Sequence, residues 1–205
     1  MSEDDFQDFL GRAFDCVKSN TTKGGGVISW MSDSELPKLL NAFETSGLHR
    51  KNIIVWVKSH FTLGRGDFQL ATEPAVYGLN EGSYNGDFED SDDSEFAIYS
   101  RDTGGKFTKN RNVSNVWFFE KPNKSTEHPT MKPIALCAKG ILVMSDPDDI
   151  VFDPFSGSGS TLIAAEQTSR ICYGCEIDPK YCDVIRKRYW KLTTGSEDGW
   201  EEGTK

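Results

Sequence analysis

Apolar and polar positions along the chain follow two periods. In residues 5–17, Phe6, Phe9, Leu10, Phe14 and Val17 recur at helical spacing, which predicts an amphipathic helix. A turn is expected over 21–26. The unbroken run Val27-Ile28-Ser29-Trp30-Met31 then predicts a buried strand, and 34–45 a helix with Leu36, Leu39, Leu40 and Phe43 inward. Ile53-Ile54-Val55-Trp56-Val57-Lys58 reads as a second buried strand. Helices alternating with strands predict an α/β, doubly wound sheet.

Between residues 80 and 124 this pattern stops. The stretch is rich in Gly, Asp, Ser and Asn, with short strand-like pieces at 96–99 and 116–119. Regular structure resumes at Pro133, placed at the first turn of a helix through Ile134, Leu136, Ile141 and Leu142. Then come a strand over 150–152, a glycine-punctuated turn, a helix opening at 161–165 and a strand over 171–175. The last helix, 179–192, carries Tyr181, Val184, Ile185 and Tyr189 at helical spacing and is expected to pack on the sheet. One domain over 1–195 is expected, then an acidic tail, 196–205, without fixed structure.

The chemistry concentrates in Asp153-Pro154-Phe155-Ser156-Gly157-Ser158-Gly159 and in Glu176, at the tip of the next strand. An acid there can take both hydroxyls of a ribose, and the helix N-terminus beside Gly157 and Gly159 favours an anionic or polar group. An adenosine-containing cofactor is therefore expected. A dinucleotide cradle asks for G-x-G-x-x-G, but Gly159 is followed by Ser160, Thr161 and Leu162. The third glycine is missing. A nicotinamide oxidoreductase is weakened accordingly.

The turn resembles the F-x-G-x-G loop of S-adenosylmethionine-dependent amino-methyltransferases acting on DNA. Upstream, Glu127-His128-Pro129-Thr130-Met131-Lys132-Pro133 resembles the H-P-T-x-K-P segment that precedes this loop in the bacterial members whose catalytic motif comes first. The resemblance implies a Rossmann-like methyltransferase sheet with S-adenosylmethionine as cofactor and double-stranded DNA as partner. It implies that His128, Thr130 and Lys132 hold the methionine end, that Asp153, Phe155, Ser156, Gly157, Ser158 and Gly159 wrap the cofactor, that Glu176 binds the ribose and that Ile177 lies against the adenine. Residues 69–79 are similar, more loosely, to the hairpin strand of the same enzymes. The loop-rich stretch 80–124 stands where these enzymes keep their target-recognition region, which makes Arg101, Lys106, Lys109 and Arg111, with Phe107, candidates for base and phosphate contacts. An ordinary solvated loop is the other reading of those charges.

In one respect the chain departs from the resemblance. Methylating an exocyclic amine needs groups that accept its hydrogens and a ring that stacks on the flipped base, which the family supplies with an Asp/Asn/Ser-Pro-Pro-aromatic tetrapeptide. None of the eight prolines is adjacent to another, so the catalytic residues are not assigned. In the family this tetrapeptide ends the strand before the helix corresponding to 5–17. The sheet is therefore expected to be incomplete at its N-terminus, lacking a strand between 150–152 and 27–31, and a separate N-terminal methyltransferase segment is a candidate partner. Two readings stand: a site-specific methyltransferase acting on adenine N6 or cytosine N4, or a non-catalytic remnant that binds cofactor and DNA. Adenine and cytosine are not distinguished.

Composition bounds the rest. With 205 residues, 37% hydrophobic and 12% aromatic, the chain can bury a sizeable core. No run approaches the roughly 18 apolar residues of a membrane span, and the start Met1-Ser2-Glu3-Asp4-Asp5 has nothing of a signal peptide. A cytoplasmic protein with no membrane partner is expected, its five cysteines reduced. Cys172-x-x-Cys175 lies within an apolar strand with no second pair to complete a zinc set, so both are expected to be buried small residues and no metal is expected. The N-x-S/T matches at Asn20, Asn112 and Asn123 carry no weight in that compartment. The net charge of −9 opposes a nucleic-acid partner at face value. Acidic residues cluster in 89–95 and in the tail, however, leaving a local basic face available around Arg101 to Arg111.

Overall fold

The computed structural model describes residues 2–62, 69–80, 113–121 and 131–201. The chain divides into two compact units, Met1–Phe118 with Val143–Ser145, and Phe119–Leu142 with Asp146–Lys205.

The first unit begins with α1 (Glu3–Asn20). Its start is fixed by a reciprocal cap: the Asp5 amide donates to Ser2 Oγ at 3.1 Å, and the Ser2 amide donates to the Asp5 carboxylate at 3.0 Å. Glu3, Asp4 and Asp5 in the first turn complement the helix dipole. After β1 (Gly26–Trp30) and a short turn over Asp33–Glu35 comes α2 (Leu36–Thr45), with Pro37 in its first turn. The strands β2 (His49–Thr62), β3 (Leu70–Leu79) and β4 (Val116–Phe119) complete the sheet, in the order β1-β3-β2-β4.

The sheet is mixed. β3 runs antiparallel to both β1 and β2 and lies between them, pairing Ile28 with Tyr77 on one side and Ile53 with Val76 on the other. β1 and β2 thus run parallel without touching. A run of apolar residues specifies a strand but not its neighbour, and β2 extends well beyond the apolar run 53–58 that announced it.

One face of this sheet carries the core. Leu10 and Phe14 of α1 meet Leu39, Ala42 and Phe43 of α2 over Val27 and Val76, with Leu48 closing the cluster. Phe14 and Phe43 meet edge to face at 5.1 Å between centroids. Gly78 is required here: a Cβ at that position would stand 2.7 Å from the Phe43 ring and against the His49 carbonyl. Strand alternation points Tyr77 and Trp56 the other way, and Trp30 joins Trp56 and Trp117 in a tilted and edge-on group at 6.4 and 6.2 Å. Lys58 lies over the Trp56 ring and pairs with Glu73 at 3.2 Å.

The end of β3 is tied to the end of α1. Asn80 Nδ2 donates to the carbonyls of Lys18 and Thr21 at 2.8 and 2.7 Å, while its backbone pairs with Gly24 and Gly25. Two of the carbonyls left over at a helix C-terminus are satisfied in this way.

The second unit holds α3 (Ile134–Met144, its last turn counted with the first unit), β5 (Ile150–Asp153), α4 (Ser160–Gln167), β6 (Ile171–Gly174) and α5 (Pro179–Thr194). β5 and β6 are parallel, with Ile150 beside Ile171 and Phe152 beside Tyr173. Ile141, Ala164 and Ala165 form the small core, packed by Ile134, Cys137, Ala138, Val151 and Cys172. Asp178 caps α5 by accepting from the Lys180 amide at 2.9 Å, Pro179 stands at its first position, and Gly195 ends it in the left-handed region. β1 and β5, the strands expected to flank a missing one, are each an end strand of their sheet among the described residues.

The expectation that Cys172 and Cys175 are both buried is corrected at both. Cys172 is half-buried, packed against the small core, and Cys175 is exposed. The period of two explains it: Ile171, Tyr173 and Cys175 share the outward side, and Ile171 and Tyr173 are exposed as well. Of the tail expected to lack fixed structure, residues 196–201 are described. Trp190 Nε1 donates to the Asp198 carbonyl at 2.9 Å, and Arg186 lies over the Trp200 ring. No helix among the described residues is long and apolar enough to cross a membrane.

Candidate functional site

The site is built where β5 gives way to α4. Asp153 ends the strand, and its carboxylate accepts from the Phe155 amide at 3.1 Å, turning the chain. Ser156 Oγ donates back to the Asp153 carbonyl at 3.1 Å. The turn is then stitched to the end of β6: the Cys175 amide donates to the Asp153 carbonyl and the Ser156 amide to the Cys175 carbonyl, both at 2.9 Å. This close approach needs Gly174, since a Cβ there would strike Ser156 Oγ.

Gly157 and Gly159 both have positive φ, 53° and 78°. L-residues with a Cβ avoid that region, so both glycines are required by conformation. The Gly159 amide donates to the Ser156 carbonyl at 2.7 Å, and the Gly159 carbonyl accepts from Ile163 as α4 begins. Ser158 is buried, and so is Ser160 at the first position of the helix, whose Oγ has no hydrogen-bond partner among the described residues.

Glu176 joins the turn to the strand beside it. One carboxylate oxygen accepts from the Gly157 amide at 2.8 Å, the other from the amides of Ile177 and Asp178 at 2.9 Å each. The acid is held in place by three backbone donors. Phe155, on the turn, and Ile177, next to the acid in the chain, are large apolar side chains 59% and 96% exposed. Such an arrangement offers an acceptor for hydroxyls, helix N-terminal amides for an anionic group and apolar surface for a flat ring.

Lys132 lies just before α3 and is partly buried. Its charge, with those of Asp153 and Arg188, acts on the Cys137 thiol, which burial foremost and Asp153 next push up to about 11. Lys132 and Asp153, the first residue of the turn, thus both act on one thiol. Asp153, Phe155, Ser156, Gly157, Ser158, Gly159, Glu176 and Ile177 stand together around the turn. His128 and Thr130, and the basic residues Arg101, Lys106, Lys109 and Arg111, lie outside the described residues.

Three contributors escape the sequence pattern. Gly174 passes for an ordinary strand residue, although a glycine inside a strand signals close backbone approach. Ile185 and Arg188 of α5 show no more than the helical spacing of a packing face. Ile185 lies beneath Gly159, and Arg188 Nη1 donates to the Ser158 carbonyl.

The profile of one family, N6_N4_Mtase, described as DNA methylase, matches residues 1–187. The chain is similar to the type II methyltransferase M.BglII of Bacillus subtilis, 28% identical over 197 residues that cover 86% of this chain and 54% of the relative. It is similar also to the type II methyltransferase M2.LlaDCHI of Lactococcus lactis subsp. cremoris, 26% identical, covering 84% of this chain and 63% of the relative. The chain thus spans little more than half the length of these curated relatives. Among solved structures, the M1.HpyAVI–SAM complex superposes with a TM-score of 0.68 at 23% identity, covering 92% of this chain and 85% of that one. The cytosine-N4-specific PvuII DNA methyltransferase gives 0.70 at 17% identity, covering 96% and 74%. The shared fold is the Rossmann-like α/β fold of these structures.

Proposed function

The chain belongs to the N6_N4_Mtase family of DNA methylases, and on that premise we propose that it binds S-adenosylmethionine at the turn between β5 and α4 and methylates an exocyclic amine, adenine N6 or cytosine N4, in double-stranded DNA. The observation that carries the reading is the bond from the Gly157 amide to the Glu176 carboxylate, which sets the glycine turn and the acid side by side. The residues present fit the cofactor. Glu176 takes the ribose hydroxyls, Phe155 and Ile177 flank the adenine, and the start of α4 with Lys132, His128 and Thr130 takes the methionine end. The buried, unpartnered Ser160 Oγ at that helix start supports a polar occupant.

When bound, the cofactor supplies an electrophilic sulfonium methyl. This chain's residues bind and orient it, and the basic residues Arg101, Lys106, Lys109 and Arg111 contact DNA. Calorimetric titration of S-adenosylmethionine into the chain tests the reading. Binding that Glu176→Ala and Gly157→Asp abolish is expected; binding untouched by both removes the site assignment. NAD is expected not to bind.

One observation favours a second reading, a cofactor- and DNA-binding portion without turnover of its own. These residues contain no Pro-Pro pair, and so no tetrapeptide of the kind that takes the amine hydrogens in the family. Methyl transfer to DNA by the chain alone, against transfer after adding a segment that carries such a tetrapeptide, separates the two.

A further inference from the structure

Arg188 lies on the third turn of α5, one residue past the stretch matched by the family profile. Its guanidinium donates to the Ser158 carbonyl. The next amide, Gly159 N–H, belongs to the same peptide plane and donates to the Ser156 carbonyl at 2.7 Å. In a trans peptide the C=O and N–H point in opposite directions, so the 158–159 plane is held at both ends, by α5 on one side and by the turn itself on the other. Ile185, one turn earlier, fills the space under Gly159, where an added Cβ would come within 3.0 Å of its side chain. Glycine is the residue least able to hold a conformation by itself, and Gly157 and Gly159 flank Ser158. Without Arg188, the Gly159 amide bond and the Ile185 contact would still oppose rotation of the plane.

We infer that Arg188 is a positioning residue: by fixing the 158–159 peptide it presents the start of α4 to the methionine end of the cofactor. The inference rests on the proposed function, and it adds a support from α5 to a site otherwise built from the β5 and β6 ends. Arg188 acts through the backbone and touches no substrate atom. Lysine, which also donates but lacks the planar fork, is expected to replace it in part.

The test uses the whole chain, with Arg188→Met and Arg188→Lys beside wild type. S-adenosylmethionine and methylthioadenosine, which keeps the adenosine but lacks the amino-acid group, are titrated into each. Arg188→Met is expected to weaken S-adenosylmethionine roughly ten-fold, the scale of one charge-assisted hydrogen bond. Methylthioadenosine is expected to bind all three alike, and Arg188→Lys to recover part of the loss. Hydrogen exchange without ligand gives a second readout: the Gly159 amide is expected to exchange faster in Arg188→Met while the α5 amides do not. Equal loss for both ligands, or unchanged S-adenosylmethionine affinity with an unchanged Gly159 amide, overturns the inference. Wild type that binds neither ligand overturns the proposed function itself, whatever Arg188 does to the turn.

Discussion

The ring of Phe43 rests on the backbone of Gly78, 2.7 Å from the point where a Cβ would stand. A helix residue and a strand residue are thereby interlocked at the centre of the first unit's core, where Phe43 is fully buried. Gly78→Ala is expected to cost about 1–3 kcal/mol by overpacking, read as a lowered melting temperature. Phe43→Leu in the same chain should recover only part of it, because the His49 carbonyl also opposes the new methyl. A Gly78→Ala melt equal to wild type would mean that α2 shifts freely over the sheet.

Gly159 faces two constraints that a double substitution can separate. Its φ of 78° costs an L-residue roughly 1–2 kcal/mol, and Ile185 crowds any Cβ. Gly159→Ala is expected to destabilise the second unit and weaken cofactor binding together. Adding Ile185→Ala should relieve the crowding and leave the backbone cost. Full recovery in the double variant would show that φ at 159 is not enforced.

The cysteines are expected to react in a set order. Cys16 and Cys175 are exposed, while burial pushes the thiols of Cys137 and Cys172 up to about 11 and about 12, Asp153 adding to both. Since the thiolate is the nucleophile, iodoacetamide near neutral pH should label Cys16 and Cys175 first, as mass spectrometry of timed samples would show. Cys175 adjoins Glu176, so S-adenosylmethionine should slow its labelling and leave Cys16 unchanged. The sign for stability comes from the raised values. Unfolded thiols ionise from the ordinary value of 9.0 while the folded ones stay protonated, so the contribution is whole below that pH and is lost as pH rises toward 11 and 12.

Acid acts in the opposite sense at the start of α1. Hydrogen bonds from Ser2 hold the Asp5 carboxyl below its ordinary 3.8. A lowered value means a contribution that is complete above 3.8 and lost as pH falls through the folded value. Protection of the Asp5 amide, its exchange rate set against the intrinsic rate at the same pH, is expected to fall in that acidic window in the wild type and not in an Asp5→Asn variant. Protection that does not change with pH there would remove the cap from the account of α1.

Much of the fold and of the turn was legible in the chain. Phe6, Phe9, Leu10, Phe14 and Val17 announced α1 because helical spacing survives any tertiary context, and Gly157, Gly159 and Glu176 announced the turn because few residue types tolerate its geometry or offer its charge. Features that could not be read depend on neighbours distant in sequence. That β3 lies between β1 and β2 is a choice of partner, and a strand carries no mark of its partner. Cys175 is misplaced by its own neighbourhood, because the apolar run around it suggests burial on both faces, whereas β6 is covered on one. Arg188 carries no mark of its role in the sequence, since the carbonyl it serves is thirty positions away.

Asn80 sets a limit on where change is tolerated. With its side chain locked onto the end of α1 and its backbone onto Gly24 and Gly25, the strand finishes at a fixed post. Among the described residues, the buried cluster that α1 and α2 form over β1 and β3 is assembled wholly from positions before that post, while β4 joins the same sheet from beyond it and brings Trp117 against Trp30.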